Sequence, residues 1–223
     1  MPKVSNDLKL AIFDCDGTLV DGQHMIITAM KQASKNCNIP YPGDEPVRRI
    51  VGLSLLEAIT RVYPTLTSND HDLIKTEFVN HFQYLRTLED HHEPLYDGII
   101  EAIVELSDMG VLLGVATGKS TRGLKNTLKN HGIEDHFVTL NTADDGPGKP
   151  HPSMINVALS DTGVSRENAF MIGDTTYDML MAAEAGVRSV GVTWGYHEKS
   201  ELISCGANHI ISHISELIEL VKD

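Results

Sequence analysis

Two carboxylates in the segment Asp14-Cys15-Asp16-Gly17-Thr18 are the side chains with the clearest chemical potential in this sequence. An apolar run, residues 8–13, precedes them, and side chains at i and i+2 of a strand end point to the same side. Mg²⁺ would relieve their repulsion, since it binds a few carboxylates together with phosphate oxygens. One carboxylate could then attack phosphorus while the other transfers protons. Taken alone, an Asp-x-Asp-Gly surface turn explains the pair equally well; the apolar run and the segments below favour chemistry.

A second segment, Thr117-Gly118-Lys119-Ser120, follows another apolar run and opens a helical pattern. The Thr117 hydroxyl and backbone N–H groups from Gly118 onward could hold phosphate oxygens at the helix start. An ordinary N-cap at Thr117 is the alternative interpretation. A nucleotide-binding P-loop is not supported, because three residues separate Gly114 from Gly118 where that motif needs four. We expect Lys119 to point to solvent.

Two further segments carry a lysine and a pair of acids. Lys149 stands between Gly148 and Pro150 just before a helical pattern, where a fixed ammonium could neutralise a transferring phosphoryl group. Seen alone, it would be interpreted as a solvated surface lysine. Asp174 and Asp178 follow an apolar run at helical i, i+4 spacing. We expect Asp174 to complete a metal site, whether or not it also caps the helix, and Asp178 to orient the ligands.

The elements that must position these side chains alternate along the chain. Continuous apolar runs are typical of parallel strands buried on both faces, and they lie at residues 8–13, 111–116, 137–140, 169–172 and 189–192. Helical patterns lie at residues 99–109, 121–131, 152–162 and 175–185. This alternation predicts an α/β fold with a doubly wound, mostly parallel, Rossmann-like sheet. Ligands bind such sheets at the carboxyl ends of the strands, where Asp14, Thr117 and Asp174 stand.

One stretch interrupts the alternation. Residues 22–90 show three helical patterns and no strand, which predicts a small all-helical cap inserted after the first strand. We therefore expect an α/β catalytic core at 1–21 and 91–223 with a cap at 22–90. Substrate-reading candidates flank the predicted hinges and loops of that cap: His24, Arg49, Gly52 and Ser54. Each of these is also readily explained as an exposed or capping residue.

Composition narrows the choice of partners and compartment. The net charge of −13 disfavours nucleic acids and anionic membranes, which reward clustered lysine and arginine. Three scattered cysteines fit a reducing compartment, and neither a signal-like start nor a long apolar stretch is present. We expect a cytoplasmic protein with a small-molecule partner, and the sequence leaves a monomer and a homodimer open.

Taken together, these segments resemble the haloacid dehalogenase superfamily, and within it the phosphoglycolate phosphatases, whose helical cap follows the first motif. The resemblance implies that Asp14 is the nucleophile and Asp16 the general acid and base. It matches the family's strand-end threonine and its lysine to Thr117 and Lys149. It further implies that Mg²⁺ is held by Asp14, the backbone carbonyl of Asp16 and Asp174. Two departures weaken a substrate assignment: the usual Asp-Ser is Asp21-Gly22, and the usual Thr-Asn-Lys is Thr117-Gly118-Lys119.

These features predict a magnesium-dependent phosphomonoester hydrolase that acts on a small phosphorylated metabolite through an aspartyl-phosphate. The expected phosphate-binding groups are Thr117, Gly118 and Lys149. A phosphomutase acting on a sugar phosphate is the alternative enzyme. A ligand-binding module without activity is a third possibility, which the intact Asp14, Asp16, Lys149 and Asp174 argue against.

Overall fold

A computed structural model describes residues 8–88 and 93–222 of the chain. Its centre is a six-stranded sheet in which every neighbouring pair is parallel, with the strand order β3-β2-β1-β4-β5-β6. The strands are β1 Leu10–Phe13, β2 Leu112–Ala116, β3 Phe137–Asn141, β4 Ala169–Gly173, β5 Arg188–Val192 and β6 His209–Ile211. The predicted parallel α/β sheet is therefore confirmed.

The helices fall into a group that follows β1 and a group that surrounds the sheet. The first group is α1 Gln23–Asn36, α2 Asp44–Arg48, α3 Leu55–Val62 and α4 Ser68–Leu85. The second is α5 Ile99–Asp108, α6 Thr121–Asn130, α7 Ser153–Thr162, α8 Thr176–Ala185, α9 Lys199–Ser204 and α10 Ser215–Lys222. Within the described ranges, no helix combines the length and the apolar character that crossing a membrane requires.

The central strand β1 is buried on both of its faces, which explains why its sequence is a continuous apolar run. Ala11 and Phe13 point into the apolar core on one side of the sheet, and Leu10 and Ile12 point into the core on the other side. Full burial of one such large side chain contributes about 1.5–3 kcal/mol to folding. The two cores fix β1 in the middle of the sheet and thereby fix the segment that follows it.

The register of the central strands aligns their carboxyl ends. Phe13 pairs with Val115 on β2 and with Ile172 on β4. The Asp14 N–H continues the ladder by donating to the Ile172 carbonyl at 2.8 Å. Asp14 and the residues that follow β2 and β4 consequently emerge at one edge of the sheet, as the doubly wound topology predicts.

Helices α1 to α4 enclose an apolar cluster that is separate from the two sheet cores. Its fully buried members include Met25, Met30, Ile59 and Ile74. The short helix α2 was not predicted from the sequence pattern. Helix α3 begins directly after Ser54, whose side chain makes no capping hydrogen bond, so the interpretation of Ser54 as a side-chain cap is wrong. The predicted boundary between residues 90 and 91 lies outside the described residues, and the division into core and cap stays a prediction.

Candidate active site

Three carboxylates and one ammonium meet at the carboxyl edge of the sheet. Oxygen atoms of Asp14, Asp174 and Asp178 all lie within 4.8 Å of one another. Lys149 Nζ lies 2.8 Å from Asp14 Oδ1 and 2.7 Å from Asp178 Oδ1. All four side chains are buried, so residues from three distant parts of the sequence converge on one enclosed point.

The pKa values of these groups are shifted because three carboxylates are buried beside a single ammonium. Burial raises the pKa of Asp14 to about 7, although Lys149 opposes that effect. Burial, followed by the proximity of Asp14 and Asp178, raises the pKa of Asp174 well above its ordinary range. For Lys149 burial lowers the pKa, but the two neighbouring carboxylates outweigh it and raise the pKa overall. The ammonium is therefore held charged, while the carboxylates outnumber it.

The cluster fits a bound divalent cation. With all four groups ionised, three carboxylates face one ammonium and two negative charges are left uncompensated. Asp14 Oδ2 is buried and has no hydrogen-bond partner among the described residues, a position that is unfavourable unless something else binds that oxygen. Oxygen donors of this kind suit hard cations such as Mg²⁺. The donor set of this cluster is therefore suited to a divalent cation.

Asp174 is held in place by the loops on either side of it. The Thr18 hydroxyl donates to Asp174 Oδ1 at 3.0 Å, and the Tyr196 backbone N–H donates to Oδ2 at 2.9 Å. Gly17 packs so closely here, with φ of +84°, that a Cβ would lie 2.6 Å from the Asp174 carboxyl carbon. The contacts of the Thr18 hydroxyl and the Tyr196 N–H with Asp174 were not predicted, because neither a single hydroxyl nor a backbone N–H leaves a signature in the sequence.

Asp178 caps the helix that carries it and also contacts the lysine. Its Oδ2 accepts hydrogen bonds from the Thr175 backbone N–H at 3.0 Å and the Thr175 hydroxyl at 2.7 Å. Its Oδ1 faces Lys149. Asp178 was predicted to orient the ligands of the site. Its carboxylate is fixed at the start of α8 and holds the Lys149 ammonium next to Asp14.

Asp16 forms an ion pair with Lys119. The expectation that Lys119 points to solvent is therefore wrong. Lys119 Nζ lies 2.9 Å from Asp16 Oδ1 and 2.6 Å from Glu93 Oε1, and its side chain is almost fully buried. The electrostatic attraction of the ammonium to these two carboxylates outweighs the hydration free energy that it loses on burial. Burial raises the pKa of Asp16, against the opposing effect of Lys119.

Glu93 extends this pairing to the helices that follow β1. Arg86, the residue after α4, lies 2.5 Å from Glu93 Oε2, and its guanidinium also donates to the Thr127 hydroxyl at 3.0 Å. Burial of Glu93 opposes ionisation, yet Lys119 and Arg86 lower its pKa to about 2. Sequence analysis missed Glu93, because a single acid outside any periodic pattern gives no signal.

Thr117 and Gly118 lie where β2 ends. Thr117 is buried, its N–H continues the ladder to the Asn141 carbonyl at 3.0 Å, and its hydroxyl accepts from the Lys119 N–H at 3.2 Å. Ser120 is the residue that caps α6, so the N-cap interpretation of Thr117 is wrong. A Cβ at Gly118 would lie 2.6 Å from the Gly52 carbonyl oxygen and closer still to that of Leu53.

Of the four residues predicted to read the substrate, two line a cavity of about 470 Å³ that opens beside Asp16. Gly52 and Ser54 line it. His24, which is exposed, and Arg49 are not part of the lining. Arg49 is turned toward the core instead, where its guanidinium pairs with Glu201, because this acid lies within reach at the start of α9.

Comparisons with known proteins find a family model, named relatives and a similar crystal structure. The model of the family described as haloacid dehalogenase-like hydrolase matches residues 11–192. The protein named Probable phosphatase IndB from Dickeya dadantii (strain 3937) is 32% identical over 213 residues, covering 94% of this chain and 91% of that protein. Phosphoglycolate phosphatase from Vibrio parahaemolyticus is 29% identical over 220 residues, covering 96% of both chains. A crystal structure described as a predicted phosphoglycolate phosphatase from Haemophilus somnus 129pt shares the fold, with a TM-score of 0.86 at 23% identity over 97% of this chain and 99% of that one.

Proposed function

Because this chain belongs to the haloacid dehalogenase-like hydrolases and is a phosphatase, we propose that it cleaves a small phosphorylated metabolite through an aspartyl-phosphate on Asp14. The family and the enzyme class predicted from the sequence motifs are confirmed. Within the family the chain is similar to phosphoglycolate phosphatases. The observation that carries the mechanism is the Asp14 carboxylate, with Oδ1 beside Lys149 and Oδ2 buried with no hydrogen-bond partner in the described part of the chain.

The first step is attack by Asp14 on phosphorus. The carboxylate is fixed by the Cys15 backbone N–H, which donates to Oδ1 at 2.6 Å, and one of its oxygens forms the new bond to phosphorus. Lys149 neutralises charge on the transferring phosphoryl group, because phosphoryl transfer is catalysed mainly by positioning and electrostatic stabilisation. Asp16 gives a proton to the leaving oxygen as the ester bond breaks.

The second step releases phosphate and restores Asp14. Asp16, deprotonated by the first step, takes a proton from a water molecule, which attacks the phosphorus of the aspartyl-phosphate. Asp14 leaves as a carboxylate. Lys119 holds Asp16 in one position for both proton transfers, since its ammonium lies 2.9 Å from Oδ1. Dividing the reaction in two helps because phosphate monoesters hydrolyse extremely slowly in water.

The remaining groups bind the phosphate and the metal. Thr117 and the backbone N–H groups of Asp16 and Gly118 are the proposed phosphate donors, with Lys149 as the cation. The N–H groups of Cys15 and Gly17, which were also expected to bind phosphate, donate instead to Asp14 Oδ1 and to the Val20 carbonyl. Asp14, Asp174 and the backbone carbonyl of Asp16 would hold Mg²⁺, whose chemistry there is to offset the negative charge of phosphate and carboxylates. Helices α1 to α4 form the proposed cap, which excludes bulk water when closed.

The experiment that tests the proposal compares wild type with Asp14→Asn in the presence of Mg²⁺. We expect the variant to release no phosphate from any ester. It should unfold at the same or a higher temperature, because it removes one negative charge from an acid-rich cluster. Normal activity of Asp14→Asn would refute the nucleophile. Isomerised sugar phosphate in place of released phosphate from the wild type would instead establish a phosphomutase.

A further inference from the structure

The surface that lines the cavity beside Asp16 is mostly apolar. It lies between the helices that follow β1 and the loop after β2, and both Lys119 and Asp16 form part of its lining. Its volume of about 470 Å³ is typical of a site for an organic molecule. The apolar side chains on its wall include Ile26, Met30, Ile50, Leu53, Phe78 and Phe82.

The positive charges buried at this cavity are already neutralised. Lys119 pairs with Asp16 and Glu93, and Arg86 pairs with Glu93. The ring of Phe82 covers both cations, at 5.0 Å from the Arg86 guanidinium carbon and 5.6 Å from Lys119 Nζ. The lining also includes two exposed cations, Lys75 and Arg122. For the two buried cations beside Asp16, a carboxylate such as that of glycolate would have to compete with two protein carboxylates.

Two large apolar side chains of the lining are exposed to solvent. Leu56 on α3 is 42% exposed and Val79 on α4 is 36% exposed, and both belong to the cavity wall. Contact with an apolar ligand would remove their surfaces from water, a change that is favourable in proportion to the area covered. A sugar hydroxyl in the same place would lose hydrogen bonds to water and find mostly carbon.

We propose that this cavity binds the leaving group and selects phosphomonoesters of a mostly apolar alcohol, about the size of an aromatic ring, over phosphoglycolate and sugar phosphates. The proposal rests on the proposed function, because it assigns the group that Asp16 protonates. It adds the chemical class of that group. Because Gly118 has no side chain, the carbonyl groups of Gly52 and Leu53 pack directly against it. This contact closes the cavity wall at position 118 without adding a polar side chain.

The test measures kcat/KM with Mg²⁺ for ethyl, butyl and 2-phenylethyl phosphate, together with 2-phosphoglycolate and glucose 6-phosphate. The first three release alcohols of similar acidity, so differences among them report binding of the leaving group. We expect 2-phenylethyl phosphate to exceed ethyl phosphate by about tenfold or more and to exceed the two polar esters. Equal values along the alkyl series, or a preference for phosphoglycolate or glucose 6-phosphate, would overturn the proposal and leave phosphatase activity established.

Two variants on α4 test which surface binds the leaving group. Val79→Asn should lower the ratio of kcat/KM for 2-phenylethyl phosphate over ethyl phosphate several-fold. Leu73→Asn is the matched control, since Leu73 is also on α4 and 50% exposed but does not line the cavity, and its ratio should equal that of wild type. An unchanged ratio in Val79→Asn overturns the assignment of this wall. Absence of turnover with every ester would refute the proposed function itself, a result distinct from a changed preference.

Discussion

Lys119 Nζ lies 2.9 Å from Asp16 Oδ1, and this ion pair ties the proposed proton-transfer residue to a side-chain network that reaches the helices after β1. Glu93 binds Lys119 on one side and Arg86, at the end of α4, on the other. Three side chains thus connect the end of a helix in the proposed cap with Asp16. The position of Asp16 therefore depends on contacts made well beyond its own loop.

The first prediction concerns Glu93. Glu93→Gln keeps the shape but removes the charge that anchors Lys119 and Arg86, so we expect the free energy of unfolding to fall by about 1–3 kcal/mol at neutral pH. Chemical denaturation measures this difference. The control is Glu105→Gln, at an exposed position of α5, which should change stability little. Equal stability of Glu93→Gln and wild type would show that the buried network contributes nothing.

The same variant carries a pH dependence with a defined sign. The pKa of Glu93 falls from its ordinary value of 4.5 to about 2 in the folded protein. Between these values the unfolded chain binds the proton more readily, so the stabilisation by Glu93 is full above pH 4.5 and disappears as pH falls toward 2. The stability difference between wild type and Glu93→Gln should shrink across that interval. A difference that grows on acidification would contradict the network.

The second prediction concerns the buried ammonium. Lys149→Met removes the cation that faces Asp14, and we expect kcat to fall by roughly 100-fold or more because charge on the transferring group is no longer offset. Steady-state phosphate release with Mg²⁺ measures the effect. Lys125→Met, at an exposed position of α6, is the control and should retain wild-type activity. A loss of less than about tenfold would contradict the role assigned to Lys149.

The third prediction concerns the metal. Chelation should abolish turnover, and added Mg²⁺ should restore it, because the carboxylate cluster lacks compensating charge. Asp174→Asn should raise the Mg²⁺ concentration for half-maximal activity by at least about tenfold. A titration of activity with Mg²⁺ measures this shift, with the exposed Asp108→Asn as the control. Full activity in a chelator would contradict a metal-dependent site.

The fourth prediction concerns Gly118. In Gly118→Ala the new methyl group meets the carbonyl oxygens of Gly52 and Leu53, and backbone atoms cannot rotate away. We expect the free energy of unfolding to fall by about 1–3 kcal/mol and kcat/KM to fall as well, because the loop before α3 is displaced from the site. Thermal unfolding and steady-state kinetics measure both effects. Unchanged stability and unchanged kinetics together would show that the two loops do not pack in this way.

The parallel sheet and the meeting of the candidate side chains at one edge of it could be predicted because their signals are local. A continuous apolar run followed by Asp14, and another followed by Asp174, is sufficient to place both acids at the same edge of a doubly wound sheet. Lys149 was predictable only in combination with these acids, since a single lysine before a helix is usually a surface residue.

The contacts between distant segments could not be predicted in the same way. The inward orientation of Lys119 depends on Glu93, whose position depends in turn on Arg86, and no spacing rule links these three residues. Arg49 was expected at the substrate and pairs with Glu201 instead, a residue 152 positions away in the sequence. The strand β6 was missed because it is only three residues long.

The most direct test of the mechanism is to look for phosphate bound covalently to Asp14. Wild-type enzyme is mixed with a phosphomonoester and Mg²⁺, quenched in acid within a single turnover, and digested for mass spectrometry. We expect the peptide that contains Asp14 to carry one phosphoryl group, and the same peptide of Asp14→Asn to carry none. Phosphate released within that turnover while the Asp14 peptide stays unmodified, or a phosphoryl group on another residue, would contradict nucleophilic attack by Asp14.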